Sequence, residues 1–383
     1  MLSFTIESVK IYILIAVVVF AALRFYLTKF QSMLKHLRAY FLRSEPYLYF
    51  TGKKMSRILE RCNWTTDSYF PSPFIFGGYS HMRAASSHGC AIPETSFERE
   101  IFRAPNGSTV AIDWFDHPEE IVKKYRSLLV IFNHGLNGPL SRALIRSAIA
   151  VAPERKMALC VINVQGTAGV PLSSPQSSVG LSFILEYKSV VERINQHIGP
   201  MFPKTAFAAS MGGIPVVEFM DQEKSGFSSL VLVSCPTDLD RFGTSELLVD
   251  MGKETLKTEA DGFTQHLGAE ETAKAMEAVV LNEFLLHTIA KPWSHPNIAS
   301  VYTAADPRPH LDAIRIPTLL IYALDDADVN FIKNVDLLRL CRNEQIALAV
   351  TEVGGHCGFQ TVTPNWLMRA VCEFAVSSCK PVF

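Results

Sequence analysis

Ala206-Phe207-Ala208-Ala209-Ser210-Met211-Gly212-Gly213 decides how the rest of the chain is read. An apolar run reaches a serine flanked by alanine and glycine, and a helical pattern, Ile214 to Asp221, follows at once. A strand that turns straight into a helix needs small residues at the turn, because the two backbones approach closely. Five more short apolar runs lie around it: Leu128 to Phe132, Ala158 to Asn163, Leu230 to Ser234, Thr318 to Ala323 and Ile346 to Val350. They are continuous rather than alternating, the pattern of parallel strands covered on both faces. Helical patterns such as Leu185 to Ile198 separate them. Strand and helix alternating at this spacing predict an α/β fold with a mostly parallel central sheet and helices on both faces. Thr109 to Phe115 fits a preceding antiparallel strand. From about 240 to 300 the strand signal gives way to charged, Ala- and Leu-rich helical sequence, which predicts an inserted helical cap. The cap carries Phe284, Leu285, Leu286 and Ile289. Adjacent helical residues point about 100° apart, so this set is expected to divide between packing on the core and lining an entrance.

Composition narrows the function classes. The chain has 383 residues, 48% hydrophobic and 19% charged, enough for a large buried core. Lys plus Arg is 36 against 37 Asp plus Glu, a net charge of −1. Nucleic-acid binders need a basic footprint, and this balance argues against one. The cysteines at 62, 90, 160, 235, 341, 357, 372 and 379 form no CxxC pair and no zinc spacing with histidine. Neither a disulfide scaffold nor a metal site is expected, and no cofactor is implied. Nothing in the sequence specifies an oligomeric state.

The amino end reads as a single-pass membrane anchor. Residues Ile11 to Leu23 carry no charge, and apolar character continues past Arg24 to Leu27, about 17 residues in all. Arg24 can snorkel to the interface. Leu27, Phe30, Leu34, Leu37 and Phe41 then follow at helical spacing among Lys29, Lys35, Arg38 and Arg43, a basic amphipathic helix suited to a membrane surface. Residues 1–44 are therefore expected to form the anchor and 45–383 the main domain. A cleaved signal peptide is the alternative. The excess of Lys and Arg after the span predicts a cytoplasmic domain. The sequons at Asn63 and Asn106 speak for the lumen.

Three groups of residues at predicted strand ends carry chemistry. Ser210, at the sharp turn, matches a nucleophile elbow, with Ala208 in place of the usual first glycine. The loop His134-Gly135-Leu136-Asn137-Gly138 follows an earlier strand. Backbone N–H groups of Leu136 and of Met211, the residue after the serine, are candidates to hold an oxyanion. The strand ending at Ala323 leads into Leu324-Asp325-Asp326-Ala327-Asp328, and the last strand leads into Gly354-Gly355-His356-Cys357-Gly358-Phe359. A serine hydroxyl needs a base, and the base needs an acid to fix its tautomer. His356 alone among the eleven histidines sits in a Gly-rich loop after the last strand. Asp326 is the preferred acid, with Asp325, Asp328 and Asp238 as alternatives.

These stretches, with Gly107 to Trp114 and Val164-Gln165-Gly166-Thr167-Ala168-Gly169, make the chain resemble the α/β-hydrolases, and within them the membrane-anchored AB hydrolase 4 family. The resemblance runs from about Pro71 to Phe374. It implies an α/β-hydrolase fold and the triad Ser210, Asp326 and His356. It also implies hydrolysis of carboxylic esters: short-chain esters, monoacylglycerols or phospholipid acyl chains. The chain departs from the family at Ala208, at Gln165 (where an arginine is usual) and across Tyr79 to Ala84. No aspartate follows His356 at the spacing of some lipid acyltransferases, since Gln360 and Thr361 stand there. A catalytically silent lipid-binding hydrolase fold and a serine peptidase are the competing readings.

Overall fold

The computed structural model describes the backbone of residues 6–379, apart from 43–44, 68, 88–95, 134–138, 172, 174–182, 223–225, 242–245, 259–266, 293 and 363–364. The chain opens with α1 (Ile6–Leu42) and the short strand β1 (Tyr47–Phe50). α2 (Lys53–Leu59) and α3 (Gly78–Ser87) precede the antiparallel pair β2 (Glu98–Arg103) and β3 (Thr109–Trp114). The alternating part then runs α4 (Pro118–Lys124), β4 (Ser127–Asn133), α5 (Pro139–Val151), β5 (Met157–Val164), α6 (Ile184–Ile198), β6 (Lys204–Ala209), α7 (Gly213–Gln222) and β7 (Ser229–Val233). Among the described residues, the helices α8 (Glu246–Thr258), α9 (Ala269–Glu277), α10 (Leu281–Leu285) and α11 (Ile298–Ala304) lie in the expected cap insertion or run just past its end. The chain returns through α12 (Arg308–Ala313), β8 (Thr318–Ala323), α13 (Phe331–Asn334), α14 (Leu337–Leu340) and β9 (Ile346–Thr351) to α15 (Trp366–Ser378).

One nine-stranded sheet results, in the order β1-β9-β8-β7-β6-β4-β5-β3-β2. β4 to β9 are mutually parallel, and β1, β2 and β3 are antiparallel to their neighbours. The continuous apolar runs follow from two cores. Val130, Ala208, Leu232 and Tyr322 face a core shared with α6, α7 and the cap. Ile131, Phe207, Val233 and Ile321 face a second core built with α2, α5 and α15. Successive strand residues point to opposite faces, so with both faces covered every position is apolar.

The cap set behaves differently from expectation. Phe284, Leu285 and Ile289 are all buried in the first core, and Leu286 packs against it. α10 passes into a π-helical stretch, Leu286–Ala290, in which the Lys291 N–H bonds to the Leu286 carbonyl five residues back. Phe284 and Leu285 precede that wider turn, in the regular helix, and share the interior because the core surrounds more than one face of it.

α1 is one continuous helix of 37 residues. Its last turns do not stand apart. His36 and Ala39 are fully buried, Ala39 in the second core, and the Tyr40 ring lies 4.7 Å from Phe70. Further back, Val17, Val18, Val19, Phe20, Leu23, Leu27 and Phe30 are exposed. Among the described residues no helix is long and apolar enough to cross a membrane. The side chains of 6–16, which include much of the expected span, lie outside that description.

Candidate active site

The site begins with backbone strain at one residue. Ala209 ends β6 in an extended conformation, and Ser210 then takes φ +53° before a 3₁₀ turn leads into α7. A non-glycine residue in this region costs about 1–3 kcal/mol and persists only where its surroundings over-determine it. Here the turn pushes the hydroxyl out of the sheet. A Cβ on Gly213 would lie 2.3 Å from Cys235 Sγ, so glycine lets α7 approach the end of β7. Ala208 is fully buried in the first core, which accommodates its methyl group.

The structure brings Ser210, His356 and Asp326 together from three strand ends. Ser210 Oγ is 2.7 Å from His356 Nε2, and His356 Nδ1 is 3.2 and 3.1 Å from the two oxygens of Asp326. Asp326 is itself held by the N–H groups of Asp328 and Val329, each 2.9 Å from Oδ1. Two of the competing acids are engaged elsewhere. Asp325 Oδ1 accepts the N–H groups of Gly354 and Gly355, both at 2.8 Å. Asp238 pairs with Arg241 and Arg308. Asp328 is buried beside the imidazole, and its carboxylate, that of Asp326 and the His356 ring hold ligand atoms within 4.8 Å of one another. Two of those groups, Asp326 and His356, are joined to each other and to Ser210 by hydrogen bonds.

Electrostatics follow the geometry. Burial disfavours the His356 imidazolium, but the charge of Asp326, its hydrogen bond and the charge of Asp328 outweigh this and raise the pKa to about 9. Burial likewise pushes Asp325 up to about 6, against the pull of the two glycine N–H groups. The histidine loop is strained at Cys357 (φ +55°) and Phe359 (φ +39°), while Gly355 takes φ +63° as only glycine does without cost. Contacts fix it: the Cys357 N–H donates to Ser234 Oγ at 3.1 Å and the Phe359 N–H to the Gly354 carbonyl at 2.7 Å. Cβ atoms at Gly355 and Gly358 would collide with the backbone of Gly78 and His81 in α3. Ser234, Asp325 and α3 support the loop, and none of these roles carries a sequence signal, because each partner is distant along the chain.

Of the oxyanion candidates, Met211 is the second residue of the short helix Ser210–Gly212, where the first N–H groups lack intrahelical partners. Leu136 and His134 lie outside the described residues. Gln165 is buried, accepts the Ser173 N–H at 3.0 Å and sits 3.4 Å from Ser108 Oγ. Nearby, Arg99 forms a two-bond ion pair with Asp113 and donates to the Ala168 carbonyl, so a cation does reach this loop, from β2.

A mostly parallel sheet with a strained serine turn, and an acid and a histidine on its following strands, defines an α/β-hydrolase. No family model matches the chain. It is 23% identical to phospholipase ABHD3 of Homo sapiens over 339 residues, covering 84% of this chain and 81% of that one. It is also 23% identical to medium-chain fatty acid ethyl ester synthase/esterase 2 of Saccharomyces cerevisiae, over 73% of this chain and 71% of that one. Among solved structures it is similar to the Pyrococcus furiosus esterase Pf2001, with a TM-score of 0.49 and 16% identity over 74% of this chain and 92% of that one. The chain is a carboxylic ester hydrolase of the α/β-hydrolase superfamily.

Proposed function

We propose that the protein is a membrane-bound serine esterase or lipase acting through Ser210, His356 and Asp326. The observation that carries this reading is the continuous line of hydrogen bonds from Ser210 Oγ through the imidazole to Asp326. His356 Nε2 takes the Ser210 proton as Oγ attacks the acyl carbonyl carbon. The N–H of Met211, next to the nucleophile, would hold the resulting oxyanion, with Leu136 the second donor that the sequence alone suggests. Collapse expels the alcohol oxygen, which receives the proton from His356, and leaves an acyl-serine. Water, deprotonated by the same imidazole, then releases the carboxylic acid and restores the hydroxyl. Asp326 fixes the tautomer and stabilises the imidazolium.

The substrate class is that of the narrower resemblance: short-chain esters, monoacylglycerols or phospholipid acyl chains. Two features support a lipid-facing enzyme. The apolar, exposed stretch of α1 suits an anchor in the bilayer. Met211, beside the nucleophile, packs against the apolar core shared with the cap, which suits an acyl chain. A cytoplasmic domain is favoured by the basic residues after the span. It is also favoured by the sequon at Asn106, whose side-chain nitrogen donates to Glu186 at 2.8 Å while Ser108 is fully buried. The test is labelling by a fluorophosphonate probe, on wild type and Ser210→Ala, competed with a panel of lipid esters. Labelling that survives in Ser210→Ala would remove the assignment.

A further inference from the structure

The histidine loop is gripped from both sides of one residue. The Gln360 N–H donates to His81 Nδ1 at 3.0 Å, and the Gln360 carbonyl accepts the Ser72 N–H at 2.9 Å. The Val362 N–H continues the pairing to the Phe70 carbonyl at 2.8 Å, beside an antiparallel bridge between Pro71 and Thr361. Segment 70–72 is in turn fastened to α1. His36 Nε2 donates to the Ser72 carbonyl at 2.7 Å, and the Tyr40 ring lies tilted against Phe70. The His36 ring also lies 5.6 Å from His81 and 5.0 Å from Phe76. The two histidines have complementary tautomers: His36 carries its proton on Nε2, and His81 must leave Nδ1 bare to accept from Gln360. Burial lowers the pKa of both, that of His81 to about 3, so both are neutral near pH 7.

We infer that the carboxyl-terminal turns of α1 are a positioning device for His356, acting through His36, Ser72, His81 and Gln360. The membrane-side helix is thereby part of the catalytic apparatus, and residue 44 does not separate an anchor from an independent enzyme. The physical reason is the strain in the loop. Two non-glycine residues with positive φ, Cys357 and Phe359, hold only while external contacts over-determine them. His36 belongs to the outer layer of those contacts and reaches neither substrate nor triad. Removing its donor leaves the half-buried Ser72 carbonyl without that partner and loosens the strand that pins Gln360. A shift of His356 by a fraction of an ångström then misaligns Nε2 from Ser210 Oγ.

The inference rests on the ester-hydrolase reading, and two readouts keep the failures apart. Full-length wild type, His36→Ala and His36→Gln are compared on a soluble short-chain ester. The same proteins are measured by hydrogen exchange of the peptide spanning 354–362. Glutamine retains an N–H donor of similar reach. The expected result for His36→Ala is a fall in kcat of about ten-fold with KM within about two-fold, together with faster exchange at Gln360 and Val362. His36→Gln should recover most of both. Unchanged exchange in His36→Ala overturns the coupling whether or not the wild type turns over the ester. A loss of kcat that His36→Gln does not recover, or that comes with exchange raised throughout the domain, assigns His36 to general stability and overturns the inference too. An inactive wild type with the expected exchange pattern faults the ester reading alone.

Discussion

At the scale of single residues, chemistry and strain converge on Ser210. Its φ of +53° aims the hydroxyl at His356, so Ser210→Ala should abolish ester turnover and leave the melting temperature nearly unchanged, as calorimetry beside an activity assay can check. Asp326→Asn should lower kcat by orders of magnitude, about 10⁴ by analogy with another triad, through the wrong imidazole tautomer. Asp325→Asn should cost less, because Asp325 faces the glycine N–H groups and not the ring. A reversed ranking in steady-state kinetics would move the acid to Asp325. The pH profile has a definite sign. Catalysis needs the neutral imidazole, and Asp326 and Asp328 hold the His356 pKa at about 9, above the ordinary histidine value. kcat/KM should rise with pH through an apparent pKa well above that of free histidine, and Asp328→Asn should move the midpoint down. A midpoint indifferent to that change would sink the two-carboxylate account. Ser210 and His356 were legible in the sequence because each sits in a small-residue turn after an apolar strand. Choosing between Asp325 and Asp326 was harder, since neighbours on a turn point apart and only the fold decides which meets the ring. Asp328 appears in the sequence only as an alternative acid; that it adds a second charge beside the imidazole follows from the fold.

At the scale of elements, the parallel strands were readable because burial on both faces makes them uniformly apolar. Two edge strands were not. β2 reads Glu-Arg-Glu-Ile-Phe-Arg, and its charged, half-exposed side chains look like loop. β1 is four residues long and takes its register from β9, far away in sequence. The π turn in the cap was invisible for a different reason: helical periodicity assumes a uniform turn, and the chain changes turn at Leu286. The join of β6 and α7 yields a sharp test. Gly213→Ala places a methyl where Cys235 Sγ already sits, so it should destabilise the domain by about 1–3 kcal/mol. Chemical denaturation measures this directly, and a neutral result would mean that Cys235 rotates away freely.

At the scale of the whole molecule, one helix joins a prospective membrane segment to the enzyme. Wild type should remain with membranes after alkaline carbonate extraction. Val18→Lys combined with Phe20→Lys should release a substantial fraction, since each lysine near a span centre costs about 2.5–3.5 kcal/mol. Full retention of the double variant would show that another surface holds the protein. The sequence announced the apolar stretch but not the docking of its far end, because His36 and Ala39 find partners that only the folded sheet assembles. The pairing of β1 with β9 also sets a timetable for biosynthesis. Tyr47 lies opposite Val350, and the Tyr47 hydroxyl reaches Glu352 at 3.0 Å. At about 5–20 residues per second on the ribosome, the first strand waits roughly 15–60 s for its partner to be made. During that interval the nascent chain holds β1 without the strand it pairs with. Nascent chains halted before residue 346 should therefore stay protease-sensitive around Tyr47–Phe50, whatever the state of the strands already synthesised.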